Sequence, residues 1–474
     1  MADRRTATPA APTTTTRYRA LAESLAQAVT QGRYPAGTAL PSVRQLCADH
    51  GVSLATATHA LHLLEDAGLI EVRPRRGDFV RGVAARPRPT TGPLLAVVGR
   101  RQRLIDLAAT QADCLSLSHL ALPAALLPLA EMHRHVVQAL AADRQLLAIG
   151  SVFGSTALRA QLARRLARAG CTVDAEDIVV SHGEAEALTL CLQLLTRPGD
   201  TVAVPSPAPA RTLELLASLG LKALPIPAPR EGGLSVPALA FALQHHPVRC
   251  CIAEPSGDTV RGACMPEAAR VQLAALLQQH QLPLIECDLF GDLHRGPQRL
   301  PPVKAWDADD QVLYCGSLAC LTGAGLSVGW IASRRHRLPL RAARAALGEL
   351  LQPLTEAALA GLLADRAFDA HLRRLRRQLA AQVDRWASAA RQLLPVGCQV
   401  WPGDAGYVLW VELPPGVDRA ALLPHLREQG YSVVPGAAFG HDRSLANGLR
   451  LSAAHPLDAL RERGLQCLAD AVRG

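Results

Sequence analysis

Lysine is almost missing from this chain: only Lys222 and Lys304 stand among its 50 basic residues. Chemistry that needs a primary amine is therefore confined to two positions, and neither follows a serine by three residues. Lys222 lies in Gly220-Leu221-Lys222-Ala223-Leu224, between an apparent helix and a strand, and Lys304 follows Pro301-Pro302-Val303 in a loop context. Both read as solvated surface side chains. Aromatic residues make up 3% of the chain, which argues against recognition of single strands by base stacking. The 12 cysteines include no Cys-x-x-Cys pair and no Cys/His spacing suited to zinc. They read as buried thiols in a reducing compartment, and no metal is expected. The polar, Thr-rich start has no apolar signal core, and no run of about 18 apolar residues occurs, so the expectation is a soluble cytoplasmic protein without a membrane partner.

What is present is an ample apolar fraction, 49% over 474 residues, with 19% charged. Such a chain holds roughly two to four domains of helix-rich α/β character. The net charge of +9 is unevenly placed: residues 1–110 hold 15 basic against 8 acidic side chains. A basic N-terminal segment before a near-neutral body points to a polyanionic partner, nucleic acid first.

Residues 1–15, rich in Thr, Pro and Ala, read as a disordered tail. In 16–82, Tyr18, Leu21, Leu25 and Val29 recur at helical spacing until Gly32 and Pro35-Ala36-Gly37. Ser42 can cap a second helix with Val43, Leu46 and Cys47 on its apolar face; Ser53 can cap a third with Ala57, Ala60, Leu61 and Leu64 inward. Gly68–Val72 and Asp78–Val80 alternate like two short strands around Arg73-Pro74-Arg75-Arg76-Gly77. Three helices and a hairpin describe a winged helix-turn-helix.

These residues resemble the GntR family of bacterial regulators, through Gly32–Gly37, Leu40-Pro41-Ser42-Val43-Arg44, Val52-Ser53, Gly68-Leu69-Ile70 and Gly77–Val80 in order. The resemblance implies double-stranded promoter or operator DNA as partner, with Arg44 on the backbone and Arg73, Arg75 and Arg76 on the wing. Ser53, Leu54, Ala55, Thr58, His59 and His62 would face the major groove. They supply no arginine for guanine, which leaves apolar contact with thymine methyls and hydrogen bonds from His or Thr. Taken singly, each arginine reads equally well as an ordinary solvated side chain.

Residues 83–112, with Arg86-Pro87-Arg88-Pro89, cannot hold a regular helix and read as a linker. From 113 to 474, strands alternate with helices, as in a mostly parallel sheet with helices on both faces. This part resembles class I/II aminotransferases of fold-type I, in Gly150–Gly154 with Leu158-Arg159, Ile178–Leu188, Pro198–Val202, Pro283–Asp288 and Gly316-Ser317-Leu318-Ala319-Cys320. Gly406–Leu413 and Gly448–Ser452 look like strands of a small C-terminal α+β domain. A winged helix joined to such a body is the arrangement of the MocR-type subfamily. It implies a homodimer, in which the winged helix of one subunit often rests on the body of the other, and a body that senses a ligand.

The resemblance also carries a pocket. Asp288 stands where an aspartate meets the cofactor's pyridine nitrogen, Ser317 where a hydroxyl meets its phosphate, and Arg450 where a guanidinium grips a carboxylate. Each has a structural alternative: Asp288 as a cap, Ser317 on a loop amide, Arg450 paired with an acid. Other positions depart from the pattern. Cys320 replaces the Schiff-base lysine and Ser327 an arginine; Thr259 falls in a turn without the usual asparagine. Phe290 replaces a tyrosine, Pro209 an aromatic residue, and Glu184 follows Gly183 where small neutral residues cradle phosphate. Each lost charge-assisted contact is worth about 1.5 to 3 kcal/mol. Two or three losses weaken binding by several orders of magnitude. The expectation is a regulator whose body is a pseudoenzyme with no covalent cofactor and weak or absent pyridoxal phosphate binding, open to a small carboxylate or amino-acid effector. The alternatives are a regulator that binds pyridoxal phosphate or an amino-acid adduct non-covalently, and an active aminotransferase, which lacks its lysine.

Overall fold

Strands that are apolar on both faces must be covered on both, and this chain has several: Ile178–Ser181, Thr201–Ser206, Leu284–Asp288 and Val312–Ser317 are buried almost throughout. The computed structural model describes residues 18–80, except 19, 20, 23, 27, 29–32, 35, 36, 67–69 and 74–76, and residues 114–473, except 149, 231, 418 and 441. The chain separates into two units, Met1–Pro93 and Leu94–Gly474.

In the first unit, Tyr18, Leu21 and Leu25 are helical, while Val29, the N-terminal tail and the linker lie outside the described residues. Ser42 caps the helix Val43–His50 by accepting from the Gln45 amide, and Gly51 ends it at φ 60°, a left-handed conformation that favours glycine. Ser53 Oγ accepts from the Thr56 amide at the start of the helix Leu54–Asp66. Leu21, Leu25, Leu46, Ala57, Ala60, Leu61 and Leu64 form one core with Ile70 and Val80. The last two belong to an antiparallel pair, β1 (Ile70–Arg73) and β2 (Gly77–Val80).

The second unit begins with β3 (Leu115–Ser116) and then builds a seven-stranded sheet from β4 (Ile178–Ser181), β5 (Thr201–Ser206), β6 (Lys222–Pro227), β7 (Val248–Ala253), β8 (Leu284–Asp288), β9 (Val312–Ser317) and β10 (Gly329–Ala332). The order is β4-β10-β9-β8-β7-β5-β6, and only β10 runs antiparallel to its neighbours. Strand alternation sorts the side chains. Val179, Val202, Ile285, Cys287 and Leu313 pack under the helices Glu184–Leu195 and Ala210–Ser218. Ala203, Leu284 and Val312 pack under Val236–His245 and Glu267–His280 on the other face. Beyond the sheet, the long helix Arg366–Leu393 carries Leu375, Leu379 and Trp386 into a core shared with a smaller antiparallel sheet. That sheet is β11 (Gln399–Pro402), β12 (Val408–Glu412), β15 (Gly448–Ser452) and β14 (Val434–Pro435); β13 (Tyr431–Ser432) pairs with β3.

One expectation fails outright. Lys304 is buried, 9% exposed, with Nζ 2.7 Å from Asp310 Oδ1, 2.7 Å from the Val312 carbonyl and 3.4 Å from Asp307 Oδ2. Its three donors find three acceptors, which offsets the loss of water. Lys222 is exposed at the start of β6, as expected of a surface lysine.

A second buried network lies at the end of β8. Arg299 bonds Asp288 at 2.5 Å and Asp292 at 2.8 Å, and Asp292 also receives Arg165 at 3.0 Å. Burial alone would raise the Asp292 carboxyl, but the two guanidinium groups hold it well below the usual carboxylate range. Replacing Arg299 with Ala leaves buried Asp288 without its counter-charge and Asp292 with Arg165 alone, and is expected to cost about 3–5 kcal/mol in urea unfolding. Arg168→Ala, which breaks a pair with Asp369 whose arginine is 63% exposed, should cost less than about 1 kcal/mol.

Candidate functional site

In the first unit the helix Leu54–Asp66 divides cleanly by face. Thr56, Ala57, Ala60, Leu61 and Leu64 are buried, while Leu54, Ala55, Thr58, His59 and His62 are exposed, Leu54 to 61%. Ser53 and Arg44 are exposed as well. Ser53 meets Thr56, the His59 ring meets Tyr18 edge-on at 4.5 Å, and His62 Nδ1 lies 3.5 Å from Glu65. Arg75, Arg76 and the side chain of Arg73 lie outside the described residues.

In the second unit a cavity of about 690 Å³ opens between the start of the helix Glu184–Leu195, the start of Ala210–Ser218, the Ala319–Leu326 loop and β15. It gathers Glu184, Pro209, Thr259, Cys320 and Arg450, which the sequence separates widely. Gly183 is the residue before the Glu184 helix and its carbonyl accepts from Ser181 Oγ at 2.9 Å. Leu127, Met132, Leu289 and Phe439 supply apolar wall.

Asp288, Ser317, Phe290 and Ser327 are placed elsewhere. Asp288 follows Leu284 and Glu286 in the alternation of β8, so its side chain leaves the cavity face and is held by Arg299, the Tyr314 hydroxyl (2.9 Å) and the Gly291 amide (2.8 Å). Cys287, with Ile285, takes the face that Asp288 was expected to occupy. Ser317 donates to the Val328 carbonyl (3.3 Å), accepts from the Ala319 amide (3.2 Å), and lines a separate small recess with Asp288. Phe290 is fully buried against Tyr407, with ring centroids 5.1 Å apart. Ser327 is half-buried with its hydroxyl 3.5 Å from the Val328 carbonyl.

The electrostatics of the cavity depend on residues that motif reading passed over. Glu254, at 6% exposure, accepts from the Thr259 amide at 2.6 Å and the Thr259 hydroxyl at 3.2 Å. Burial first, and the nearby Glu184 carboxylate second, push its carboxyl well above the ordinary range. Burial also raises Glu184, with Arg211 on the cavity wall opposing the rise. Burial lowers Arg450 to about 10, against the pull of Tyr407 and Glu254. Arg450 donates to the Thr259 carbonyl at 3.2 Å and the Ser118 carbonyl at 3.3 Å, and its buried Nε has no hydrogen-bond partner. Cys320 Sγ lies 3.6 Å from the Tyr407 hydroxyl. The end of β7, where strand alternation turns an acid inward just before a Pro-Ser-Gly turn, was the signal for Glu254.

Two family models match. Residues 104–468 fit aminotransferase class I and II, and residues 17–80 fit bacterial regulatory proteins of the gntR family. The HTH-type transcriptional regulators YdcR and YjiR of Escherichia coli K12 are each 32% identical over 467 residues, spanning 96% of this chain and 99% of theirs. The chain belongs to the MocR type of GntR-family transcriptional regulators. Kynurenine aminotransferase of Pyrococcus horikoshii shares the body fold at a TM-score of 0.71 and 24% identity, over 79% of this chain and 94% of its own. The α-aminoadipate aminotransferase LysN of Thermus thermophilus does so at the same TM-score and identity, over 78% and 94%. This regulator thus joins a winged helix-turn-helix to a fold-type I aminotransferase-like body. Among the described residues no helix is long and apolar enough to cross a membrane, and no cluster of His, Cys, Asp or Glu is arranged to hold a metal ion.

Burial pushes the regulator's Cys320 thiol up to about 11. Below that value its thiolate fraction falls ten-fold per pH unit. Iodoacetamide labelling of Cys320 near neutral pH, followed by peptide mass spectrometry, should therefore run roughly a hundred-fold slower than for an ordinary thiol and accelerate about ten-fold per unit up to about pH 10. A rate that is flat with pH would show that the Cys320 thiol is not raised.

Proposed function

We propose that this regulator binds promoter DNA through its winged helix and uses its aminotransferase-like body as a non-catalytic sensor and dimerisation module. The observation that carries this reading is the cavity, where Cys320 stands without an amine beside Glu184, Thr259 and Arg450. Pyridoxal phosphate, which the fold family implies, does not fit these residues. A thiol forms no Schiff base with an aldehyde. The helix start that would receive a phosphate carries the Glu184 carboxylate, a negative charge at a positive end. Ser327 offers no cation, and Asp288 is committed to Arg299 on the other side of β8. Neither lysine substitutes for the missing amine: Lys222 is at the far edge of the sheet, and Lys304 is engaged with Asp307, Asp310 and the Val312 carbonyl.

On the DNA side, the exposed face of Leu54, Ala55, Thr58, His59 and His62 supports insertion into the major groove. Apolar contacts with thymine methyls and hydrogen bonds from Thr58 and the two histidines then give the base readout. Arg44, exposed at the start of the preceding helix, fixes the frame on phosphate, with Arg73, Arg75 and Arg76 as the wing's contacts. In this reading the body dimerises, and Arg450 takes the carboxylate of a small effector.

Two measurements test these halves separately. In gel-shift titrations with the promoter region beside its own gene, Arg44→Ala should weaken binding across all sequences and lower the salt slope by about one. Binding that is unchanged would remove Arg44 from the interface. On the body, borohydride reduction with pyridoxal phosphate should leave no fixed adduct in the natural protein and little in Cys320→Lys alone. Combining Cys320→Lys with Ser327→Arg and Glu184→Ser, which restores the phosphate's partners, should yield an adduct. A reducible adduct in the natural protein would overturn the pseudoenzyme reading.

A further inference from the structure

The cavity walls carry two charges that nothing within the described residues neutralises by direct contact. Glu184 opens its helix half-buried, with Arg211 as its nearest opposing charge but no ion pair or hydrogen bond formed. Arg450 has no carboxylate within ion-pair distance. Its guanidinium makes only two hydrogen bonds, both to carbonyls and both beyond 3.1 Å, and its Nε makes none. Of five N–H donors, three are therefore uncommitted. Glu254 does not quench Arg450, because both of its contacts go to Thr259 and burial beside Glu184 favours its neutral form. The acid and the base do not pair with each other: one stands on the helix Glu184–Leu195 and the other on β15. Apolar side chains such as Leu127, Met132, Leu289 and Phe439 line the space between and lower the local dielectric, which strengthens an ionic contact made against them.

We propose that the cavity binds a small amino-carboxylic acid directly, without a cofactor, its carboxylate on Arg450 and its ammonium on Glu184. This rests on the reading of the body as a sensor and adds the group that recognises the amine. In this site a free ammonium held by a carboxylate takes the place of a covalent link at residue 320. The same carboxylate that repels a phosphate selects the cation. A carboxylate ligand without an amine would satisfy Arg450 and leave Glu184 buried and unpaired, so it binds more weakly; an amine without a carboxylate leaves Arg450 in the same condition.

Calorimetry on the full-length protein tests this, with straight-chain amino-carboxylic acids of increasing length beside the matching unsubstituted carboxylates and the matching amines. At least one amino acid should bind roughly ten-fold or more tightly than both of its single-charge counterparts. Glu184→Gln, nearly the same size, should erase that advantage without weakening binding of the plain carboxylate, which loses a repelling charge. Glu184→Asp should keep part of it, which a merely structural role for Glu184 would not produce. Arg450→Gln should weaken both classes. An amino-acid affinity within two-fold of the natural value in Glu184→Gln overturns the assignment, as does the absence of heat with every member of the series. Gel shifts on the same preparations keep the two readings apart. Loss of DNA binding counts against the regulator reading, whereas intact DNA binding with no amino-acid preference counts against the Glu184 site alone.

Discussion

The ion pair between Asp288 and Arg299 decides how the carboxyl end of the main sheet is arranged. Asp288 is 7% exposed and has three partners: Arg299, the Tyr314 hydroxyl of β9 and the Gly291 amide of the following turn. One carboxylate thus ties β8, its neighbouring strand and the loop that brings Arg299 back. Arg299 in turn holds Asp292, which reaches Arg165 on the helix Thr156–Arg168. Arg299 is the one member whose removal would leave Asp288 without a counter-charge, since Asp292 also has Arg165. With Asp288 committed in this way, the opposite face of the strand end is left to Cys287 and Leu289. Leu289 lines the cavity, and Cys287 is buried in the core under the helix Glu184–Leu195.

That division separates the polar chemistry of the body into two regions. Below the sheet end, arginines and aspartates neutralise one another. In the cavity, the charges of Glu184 and Arg450 face a largely apolar lining without direct counter-ions among the described residues, and Glu254 is driven toward its neutral form. Stability argues against leaving charges in that state, since desolvation is uncompensated until something binds. A site that costs stability when empty and gains it when filled responds to its ligand, because binding shifts the balance between arrangements of the surrounding helices and strands. The helix Glu184–Leu195 starts at the cavity and packs under the sheet through Leu188 and Leu192. A ligand drawing on its first residue would act on an element with broad contacts.

Much of this was legible along the chain. The apolar spacing of Ala57, Ala60, Leu61 and Leu64 and the caps at Ser42 and Ser53 determine the helix-turn-helix from within a few residues of each position. Runs such as Val179-Val180 and Leu284-Ile285, set between helical stretches, likewise determine a covered, mostly parallel sheet. That Cys320 stands where the family resemblance implies a lysine, and Ser327 where it implies an arginine, is read from residue identity and needs no coordinates.

The tertiary structure alone decided where the polar side chains of the body point. Asp288 and Cys287 are neighbours in sequence, and a one-residue difference in register sends one to Arg299 and the other to the cavity side. Lys304 looked like a surface lysine because nearby acids such as Asp307 and Asp310 are also usual on a solvated loop, and only the fold turns both of them and the Val312 carbonyl onto its buried ammonium. Glu184 and Arg450, far apart in sequence, line one cavity. Local patterns follow from propensity and periodicity, which act over a few residues. The pairing of buried charges follows from register and packing between distant segments, which the folded chain alone brings into contact.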